Sequence, residues 1–264
     1  MGITWILERG VMADVHERLR AAAAASDQEV LDWRDEWFES WPRCTARHVV
    51  FHGSLGFAAR VHAESPWTPG AFCDVPAFCC SSWYASAGRW LLHREWAMQT
   101  VASLVADPVA AFARFGSPPA LFVRPDSPLK PFSGRVVRRD QVSLAALDHG
   151  FYFDDTSIAV ILAPVRQVER EWRYVVVDGR VIAGSAYVAE RRAPSPDDPS
   201  GEPWRFAQAV ASSLPAPEIA YVLDVCSADG QLWLVELNPL SGADLYACDM
   251  NAVVREIAGV LERF

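Results

Sequence analysis

The alternation of apolar and polar residues divides the chain into short apolar runs that predict strands and amphipathic stretches that predict helices. In the first 90 residues, 3–8 (ITWILE) and 48–51 (HVVF) are typical of buried strands, and 11–24 of an Ala-rich helix. The second strand runs into His52-Gly53-Ser54. A strand, a helix and a second strand that ends in Gly-Ser predict a small α/β unit.

Beyond residue 90 the apolar runs predict an antiparallel α+β arrangement. The predicted strands are 120–124, 134–137, 158–163, 172–178, 180–188, 219–226 and 231–237. Asp178-Gly179 and Asp229-Gly230, both flanked by apolar alternation, predict tight hairpins. The predicted helices are 88–115 with a break at Pro108, 140–148, 204–214 and 249–263. The Pro-rich stretch 191–203 predicts a mobile loop.

Composition and charge narrow the class of protein. The 264 residues are 51% apolar and 22% charged, with 24 Lys+Arg against 33 Asp+Glu and a net charge of −9. This composition predicts a folded protein and argues against a nucleic-acid or anionic-membrane surface, because such partners select dense Lys/Arg faces. A small phosphorylated molecule stays compatible, since it needs only a few cations in one cleft.

Cysteine usage and hydropathy bear on the compartment. None of the six cysteines forms a C-x-x-C pair, which favours reduced, buried thiols over a zinc site. No apolar run reaches the length of a membrane span, and residues 1–10 lack the features of a secretory signal. We therefore expect a cytoplasmic protein with no membrane partner, and its oligomeric state is left open.

Three oxygen-bearing side chains are predicted to converge beside the Asp229-Gly230 turn. Glu236 and Asn238 alternate on one strand and share a face, and counting outward from the turn brings Asp224 near Glu236. Such oxygens suit Mg²⁺, and a carboxylate in an apolar strand is costly without a cation or donors. Taken singly, each could be an ordinary strand-end or edge polar residue. The three together predict a magnesium site.

Two further clusters fit a nucleotide. Arg124 ends a predicted strand, and Lys130 and Ser133 follow in a Gly-containing loop that could contact phosphates. An ordinary Pro-rich hairpin with surface cations explains this loop equally well.

The other cluster lies at the linker 164–170, whose backbone could pair with an adenine edge. Glu169 and Glu171 follow, with Glu171 suited to ribose hydroxyls and Arg173 on the same face of its strand. The alternative is an exposed, charged strand face.

In this order the motifs resemble those of the ATP-grasp superfamily. The most specific is Asp224 followed by VELNP, which resembles the D…E-x-N-P magnesium signature of that superfamily. FHGS at 51–54, FVRPDSPLKPFSG at 122–134 and EWR at 171–173 resemble motifs of a compact bacterial and phage clade within it. The match covers about residues 48–246. One departure is Val222, where many members of the superfamily carry Arg, a role that Arg173 or Arg191 would have to take.

The resemblance implies an ATP-grasp fold of two α+β lobes with antiparallel sheets over residues 91–264, preceded by a small α/β domain over 1–90. It implies an ATP- and Mg²⁺-dependent ligase that joins a carboxylate to an amine through an acylphosphate, with a small molecule or peptide as substrate. A phosphotransferase on the same scaffold and a non-catalytic nucleotide-binding module are the alternatives.

The resemblance also implies roles for individual residues. Asp224, Glu236 and Asn238 would hold Mg²⁺. The nucleotide would contact Arg124, Lys130, Ser133, Glu169, Glu171 and Arg173, with Lys130 and Arg173 also acting in catalysis. The acceptor substrate would contact His52, Ser54, Arg191, Ser241, Gly242 and Tyr246.

Overall fold

In the computed structural model, described over residues 2–147, 154–188 and 192–263, the chain forms two compact units. One contains the residues up to Phe78 together with those from Val168 onward, and the other is Cys79–Gln167. These units group residues by contact in space, so they are a different division from the sequence domains 1–90 and 91–264, which stay a prediction.

The N-terminal part of the first unit is a parallel four-stranded sheet with the strand order β2-β1-β3-β4. Its strands are β1 Ile3–Leu7, β2 Glu29–Asp32, β3 His48–His52 and β4 Pro69–Gly70. The connecting helices are α1 Ala13–Ala25 and α2 Leu55–Glu64, and the short α3 spans Val75–Phe78. The α/β expectation is confirmed, although β2, β4 and α2 had not been predicted.

The rest of the first unit is an antiparallel five-stranded sheet with the order β11-β10-β9-β12-β13. Its strands are β9 Arg170–Val177, β10 Arg180–Val188, β11 Arg192–Pro196, β12 Ala220–Ala228 and β13 Gln231–Pro239. Both Asp-Gly pairs form the predicted hairpins, with positive φ at both turn residues. Two helices complete it, α7 Glu202–Ser213 and α8 Met250–Leu261.

The second unit is an antiparallel four-stranded sheet with the order β5-β8-β6-β7. Its strands are β5 Ala97–Thr100, β6 Ala120–Pro125, β7 Arg135–Arg138 and β8 Ala159–Pro164, and its helices are α4 Cys80–Ala87, α5 Val101–Ala106 and α6 Pro108–Ala113. One face of the sheet packs on α5 and α6 through a core that includes Leu104, Phe112, Val123 and Leu162.

Three secondary-structure predictions are wrong. The predicted helix 88–115 contains strand β5, which gains a partner by pairing with β8. The predicted helix 140–148 is replaced by 3₁₀ turns at Arg139–Gln141 and Ala145–Leu147, with residue 148 outside the described residues. The stretch 191–203 contains β11, because edge strands tolerate proline. None of the described helices has the length and hydropathy needed to span a membrane.

One core joins the two sheets of the first unit. Side chains of β1, α1, β9, β12 and α8 pack together, among them Trp5, Leu19, Val175, Val222 and Val253. The N-terminal sheet is therefore built onto the same core as the sheet that carries the predicted metal ligands.

Glu218, just before β12, is a buried carboxyl group in this unit. Its Oε2 has no hydrogen-bond partner among the described residues, and its Oε1 lies 3.8 Å from Nδ1 of His62. Burial raises the pKa of Glu218 to about 8, and the charge of Asp74 adds to this, against a lowering hydrogen bond from the backbone of Asp74.

Because the pKa of Glu218 rises from 4.5 to about 8 on folding, its ionisation opposes folding. The free energy of unfolding should fall as pH rises from about 4.5 to about 8. Glu218→Gln should therefore be more stable than the wild type at pH 9, by on the order of 2 kcal/mol, and equal to it at pH 4. Urea unfolding at both pH values measures this.

Glu64→Gln, at an exposed position of α2, is the matched control and should follow the wild type at both pH values. A Glu218→Gln effect of the same size at pH 4 and pH 9 would show that packing, and not ionisation, is responsible.

Candidate functional site

Five polar side chains meet on one face of the antiparallel five-stranded sheet. Asp224 of β12 lies directly opposite Arg173 of β9 on one side and Glu236 of β13 on the other. Directly opposed residues in antiparallel strands point to the same face, and Glu171 and Asn238 join them by alternation. We call these five residues the carboxylate cluster.

A β-bulge on β13 sets this arrangement. The register between β12 and β13 shifts between Asp224 and Val225, so that Asp224 faces Glu236 while Val225 faces Leu234. Regular counting from the Asp229-Gly230 turn would place Val235 opposite Asp224 and would turn the Glu236 side chain to the other face. The extra residue thus brings the two carboxylates together.

Arg173 and Asp224 form a buried, two-bonded ion pair. Nε and Nη2 of Arg173 donate to the two carboxylate oxygens of Asp224 at 2.8 and 2.7 Å, and the side chains are only 9% and 2% exposed. Nη1 donates to the carbonyl oxygen of Asp244 at 2.7 Å. Burial alone would lower the pKa of Arg173, but the charge and hydrogen bonds of Asp224 raise it well above its ordinary value.

The cluster carries more negative than positive charge. Its three carboxylates face the single guanidinium of Arg173, which leaves an excess of two negative charges when all are ionised. Burial, followed by the charges of Asp224 and Glu236, raises the pKa of Glu171. A cation placed here would relieve that repulsion.

The donor set of the cluster fits a hard divalent cation. Nδ2 of Asn238 lies 3.0 Å from Oδ2 of Asp224 and 3.0 Å from Oε1 of Glu236. Turning the carboxamide over would present Oδ1 to the same two carboxylates, giving three oxygen ligands of the type that Mg²⁺ takes. Among the described residues, no group of three His, Cys, Asp or Glu side chains is placed to hold a metal, so this candidate depends on the amide.

Sequence reasoning missed the residues that surround Arg173. Its guanidinium lies 4.9 Å from the ring of Tyr246 and 6.0 Å from that of Tyr187, and Sγ of Cys248 contacts its carbonyl oxygen at 3.9 Å. Tyr187 lies opposite Glu171 across the Asp178-Gly179 hairpin, so counting from that turn could have suggested it.

The residues predicted to contact phosphates belong to the second unit. Arg124 is a buried residue of β6, and Lys130 and Ser133 lie in the loop that leads to β7. Lys130 has φ 49°, and its N–H donates to the carbonyl oxygen of Ser127, so the loop turns tightly at the lysine.

A cavity of about 350 Å³ in the second unit is rich in cations. Its walls are Leu92, His93, Arg94, Glu95, Pro164 and Arg166. The ring of His93 stacks on Phe122 at 4.8 Å. Burial and then the charges of Arg124 and Arg166 lower the pKa of His93 to about 4, so the ring is neutral at neutral pH. Nothing in the sequence alone marked His93 or Arg94.

The linker residues are exposed. Glu169 is exposed and its N–H donates to the carbonyl oxygen of Ser227 at 2.9 Å, which extends the pairing beyond β9. Pro164 and Arg166, earlier in the linker, line the cavity of the second unit.

The residues predicted to contact substrate divide into buried and accessible ones. His52 and Ser241 are each 1% exposed, and Oγ of Ser241 accepts the N–H of Phe72 at 2.9 Å. Gly242 is also buried, where an added Cβ would lie 3.0 Å from Cα of Leu55. The substrate-contact predictions for these residues stay predictions.

Ser54 and Tyr246 are partly exposed. Arg191 lies outside the described residues.

Tyr246 borders the largest groove described in the first unit. This groove, of about 740 Å³, is lined by Met12, Ala13, Asp14, Val15, Arg18, Pro194, Pro196, Asp244, Tyr246 and Ala247. Arg18 donates to the carbonyl oxygens of Tyr246 and Cys248, which holds its guanidinium against the backbone after β13. Asp14 and Asp244 contribute negative charge to the same groove.

Comparison with solved structures shows the fold. D-cycloserine synthetase DcsG superposes with a TM-score of 0.65 at 18% identity, over 98% of this chain and 100% of that one. D-alanine–D-alanine ligase from Bacillus anthracis in complex with ATP gives 0.62 at 13%, over 100% and 98%. The ATP-grasp ligase PsnB with its minimal precursor gives 0.60 at 12%, over 98% and 99%.

These matches confirm the predicted ATP-grasp fold with its antiparallel sheets. Comparison with curated protein sequences finds no match. A family model for the ATP-grasp domain, the second family of its clade, matches residues 91–255, which is more than half of the chain. The chain therefore belongs to this clade family of ATP-grasp domain proteins.

Proposed function

We propose that this protein is an ATP- and Mg²⁺-dependent ligase that joins a carboxylate to an amine through an acylphosphate. The observation that carries the proposal is the carboxylate cluster, in which Asp224, Glu236 and Asn238 gather beside Arg173. Family membership supports ATP as the co-substrate, and the fold is shared with ligases that bear this chemistry in their names.

In this proposal the carboxylate cluster holds Mg²⁺ through Asp224, Glu236 and Asn238. When bound there, the ion neutralises phosphate charge during phosphoryl transfer. The cluster's two excess negative charges match the charge of one such ion. Arg173 stays clamped to Asp224 and steadies the transferring phosphoryl group, because a preorganised cation costs no reorganisation at the moment of reaction.

The nucleotide is assigned to the basic residues of the second unit. Arg124 and Lys130, with the Ser133 backbone, would contact the phosphates, and the base would enter the 350 Å³ cavity at Pro164 and Arg166. Glu169 and Glu171 are proposed to serve the ribose side. The neutral ring of His93 adds no charge beside the base.

The chemistry then has two steps. A carboxylate oxygen of the substrate attacks the γ-phosphorus of ATP, the bond to the β-phosphate oxygen breaks, and ADP leaves. The amine then attacks the acyl carbon, loses a proton, and expels inorganic phosphate. Both steps need alignment and charge neutralisation, which fixed cations supply.

The groove at Tyr246 is the site proposed for the substrate. It adjoins the cluster, because the carbonyl of Asp244 binds Arg173 and the Tyr246 ring lies against the same guanidinium. Its walls are mainly apolar and Asp14 and Asp244 face it, a combination that suits an amine with an apolar body. Ser54, Ser241 and Gly242 lie in the segments predicted to complete it, as does Arg191.

Product analysis with the full chain tests the reaction. With ATP, Mg²⁺ and panels of amino acids and short peptides, ADP and phosphate should appear only when a carboxylate and an amine are both present. Glu236→Gln should lower this turnover at least about a hundredfold without unfolding the protein, because a metal ligand is lost while the shape is kept. Glu64→Gln, at the exposed surface, is the matched control.

Two results would contradict this proposal. Full turnover in Glu236→Gln would remove the cluster from the reaction. Transfer of the γ-phosphoryl group to a stable product, with no need for an amine, would identify a phosphotransferase instead.

Lys130→Ala tests the nucleotide half of the site. The variant should bind Mg-ATP about tenfold more weakly by calorimetry, since an ammonium on phosphate contributes about 1–2 kcal/mol. Arg138→Ala removes an exposed cation of the same unit, paired with Asp140 at 3.3 Å, and should bind ATP as the wild type does. Equal affinity in Lys130→Ala and the wild type would refute the phosphate contact.

A further inference from the structure

Two buried histidines connect the N-terminal sheet to the loop that follows β13. His16 of α1 and His52 at the end of β3 are 8% and 1% exposed, and Nε2 of His16 lies 3.0 Å from Nδ1 of His52. Nε2 of His52 lies 3.1 Å from the carbonyl oxygen of Ala243. The two rings, 36 residues apart in sequence, therefore form one hydrogen-bonded chain that ends on Ala243.

The carbonyl at the end of this chain determines where the protons lie. A carbonyl oxygen only accepts, so Nε2 of His52 carries a hydrogen. Burial, with His16 acting in the same direction, lowers the pKa of His52 to about 3, so its ring is neutral and Nδ1 holds a lone pair. Nε2 of His16 is then the donor to His52, and His16 determines the tautomer of His52.

The carbonyl held by His52 immediately precedes the carbonyl that holds Arg173. Nη1 of Arg173 donates to Asp244, the residue after Ala243, while Nε and Nη2 clamp Asp224. A planar peptide joins the Ala243 carbonyl to Asp244, so a displacement of the first residue is passed to the second. The same turn is anchored by the N–H of Gly53, which donates to the carbonyl of Ser241 at 2.8 Å.

We propose that His52, oriented by His16, is a positioning residue that holds the Ala243–Asp244 turn and thereby the orientation of Arg173. In this role His52 does not contact substrate. The kinetic consequence rests on the proposed ligase function, whereas the hydrogen-bonded chain does not.

Two substitutions separate the hydrogen bond from the packing. His52→Gln keeps an N–H donor at the distance of Nε2, and His52→Leu keeps the bulk but has no donor. His48 supplies the control, because it lies on the same strand at 4% exposure and both of its ring nitrogens have no hydrogen-bond partner among the described residues. His48→Leu thus removes a buried histidine without removing a donor to the turn.

We expect His52→Leu to lower kcat about tenfold or more with the KM for ATP unchanged, because Arg173 is misaligned while the nucleotide contacts remain. His52→Gln should recover kcat to within about threefold of the wild type, and His48→Leu should match it. Amide hydrogen exchange should quicken across 243–248 in His52→Leu only. Equal kcat and exchange in His52→Leu and the wild type would overturn the proposal, as would a His52→Gln variant as impaired as His52→Leu.

Nitrogen NMR of the histidine rings tests the chain without any turnover. In the wild type, Nδ1 of His52 should resonate as an unprotonated nitrogen and Nε2 as a protonated one, and His16→Leu should mix the two tautomers. A protonated Nδ1 in the wild type would refute the chain. If no ligase reaction is found, the proposed function fails alone, since the NMR and exchange results still decide the positioning role for the turn.

Discussion

The buried ion pair between Arg173 and Asp224 is the interaction on which the arrangement of the site depends. Removing two charges from water is costly, and the cost is recovered only when geometry and additional hydrogen bonds are good. Here both carboxylate oxygens and three guanidinium nitrogens are used, the last by the Asp244 carbonyl. The pair therefore fixes β9 against β12 and both against the turn after β13.

The same pair leaves the remaining carboxylates under-compensated. One guanidinium cannot neutralise Asp224, Glu236 and Glu171 together, and the raised pKa of Glu171 reflects the excess. A purely structural network would be expected to balance its charges, because unbalanced buried charge is destabilising. The imbalance makes sense if a divalent cation and the phosphates it binds are part of the working state, which links the energetics of the sheet to the proposed reaction.

Local patterns allowed the sequence to predict much of the sheet, since Asp-Gly turns and apolar alternation act over a few residues. The Asp224–Glu236 pairing was predicted, but only as near neighbours. The bulge that places both on one face depends on packing along β13, and no local signal marks it. The helix predicted over 88–115 failed because its centre pairs with a distant strand, a tertiary effect that overrides helical propensity.

The links that set the turn after β13 could not have been predicted, because they span most of the chain. His52 reaches Ala243 across 191 residues, and Arg18 reaches Cys248 across 230. Contacts of such separation form only after the chain between them is ordered, since the closure entropy must be recovered by packing. The N-terminal sheet is thus part of the site's scaffold, because it supplies the donors that hold the turn against Arg173. The carboxylates come from one sheet, but their final alignment depends on residues from the opposite end of the chain.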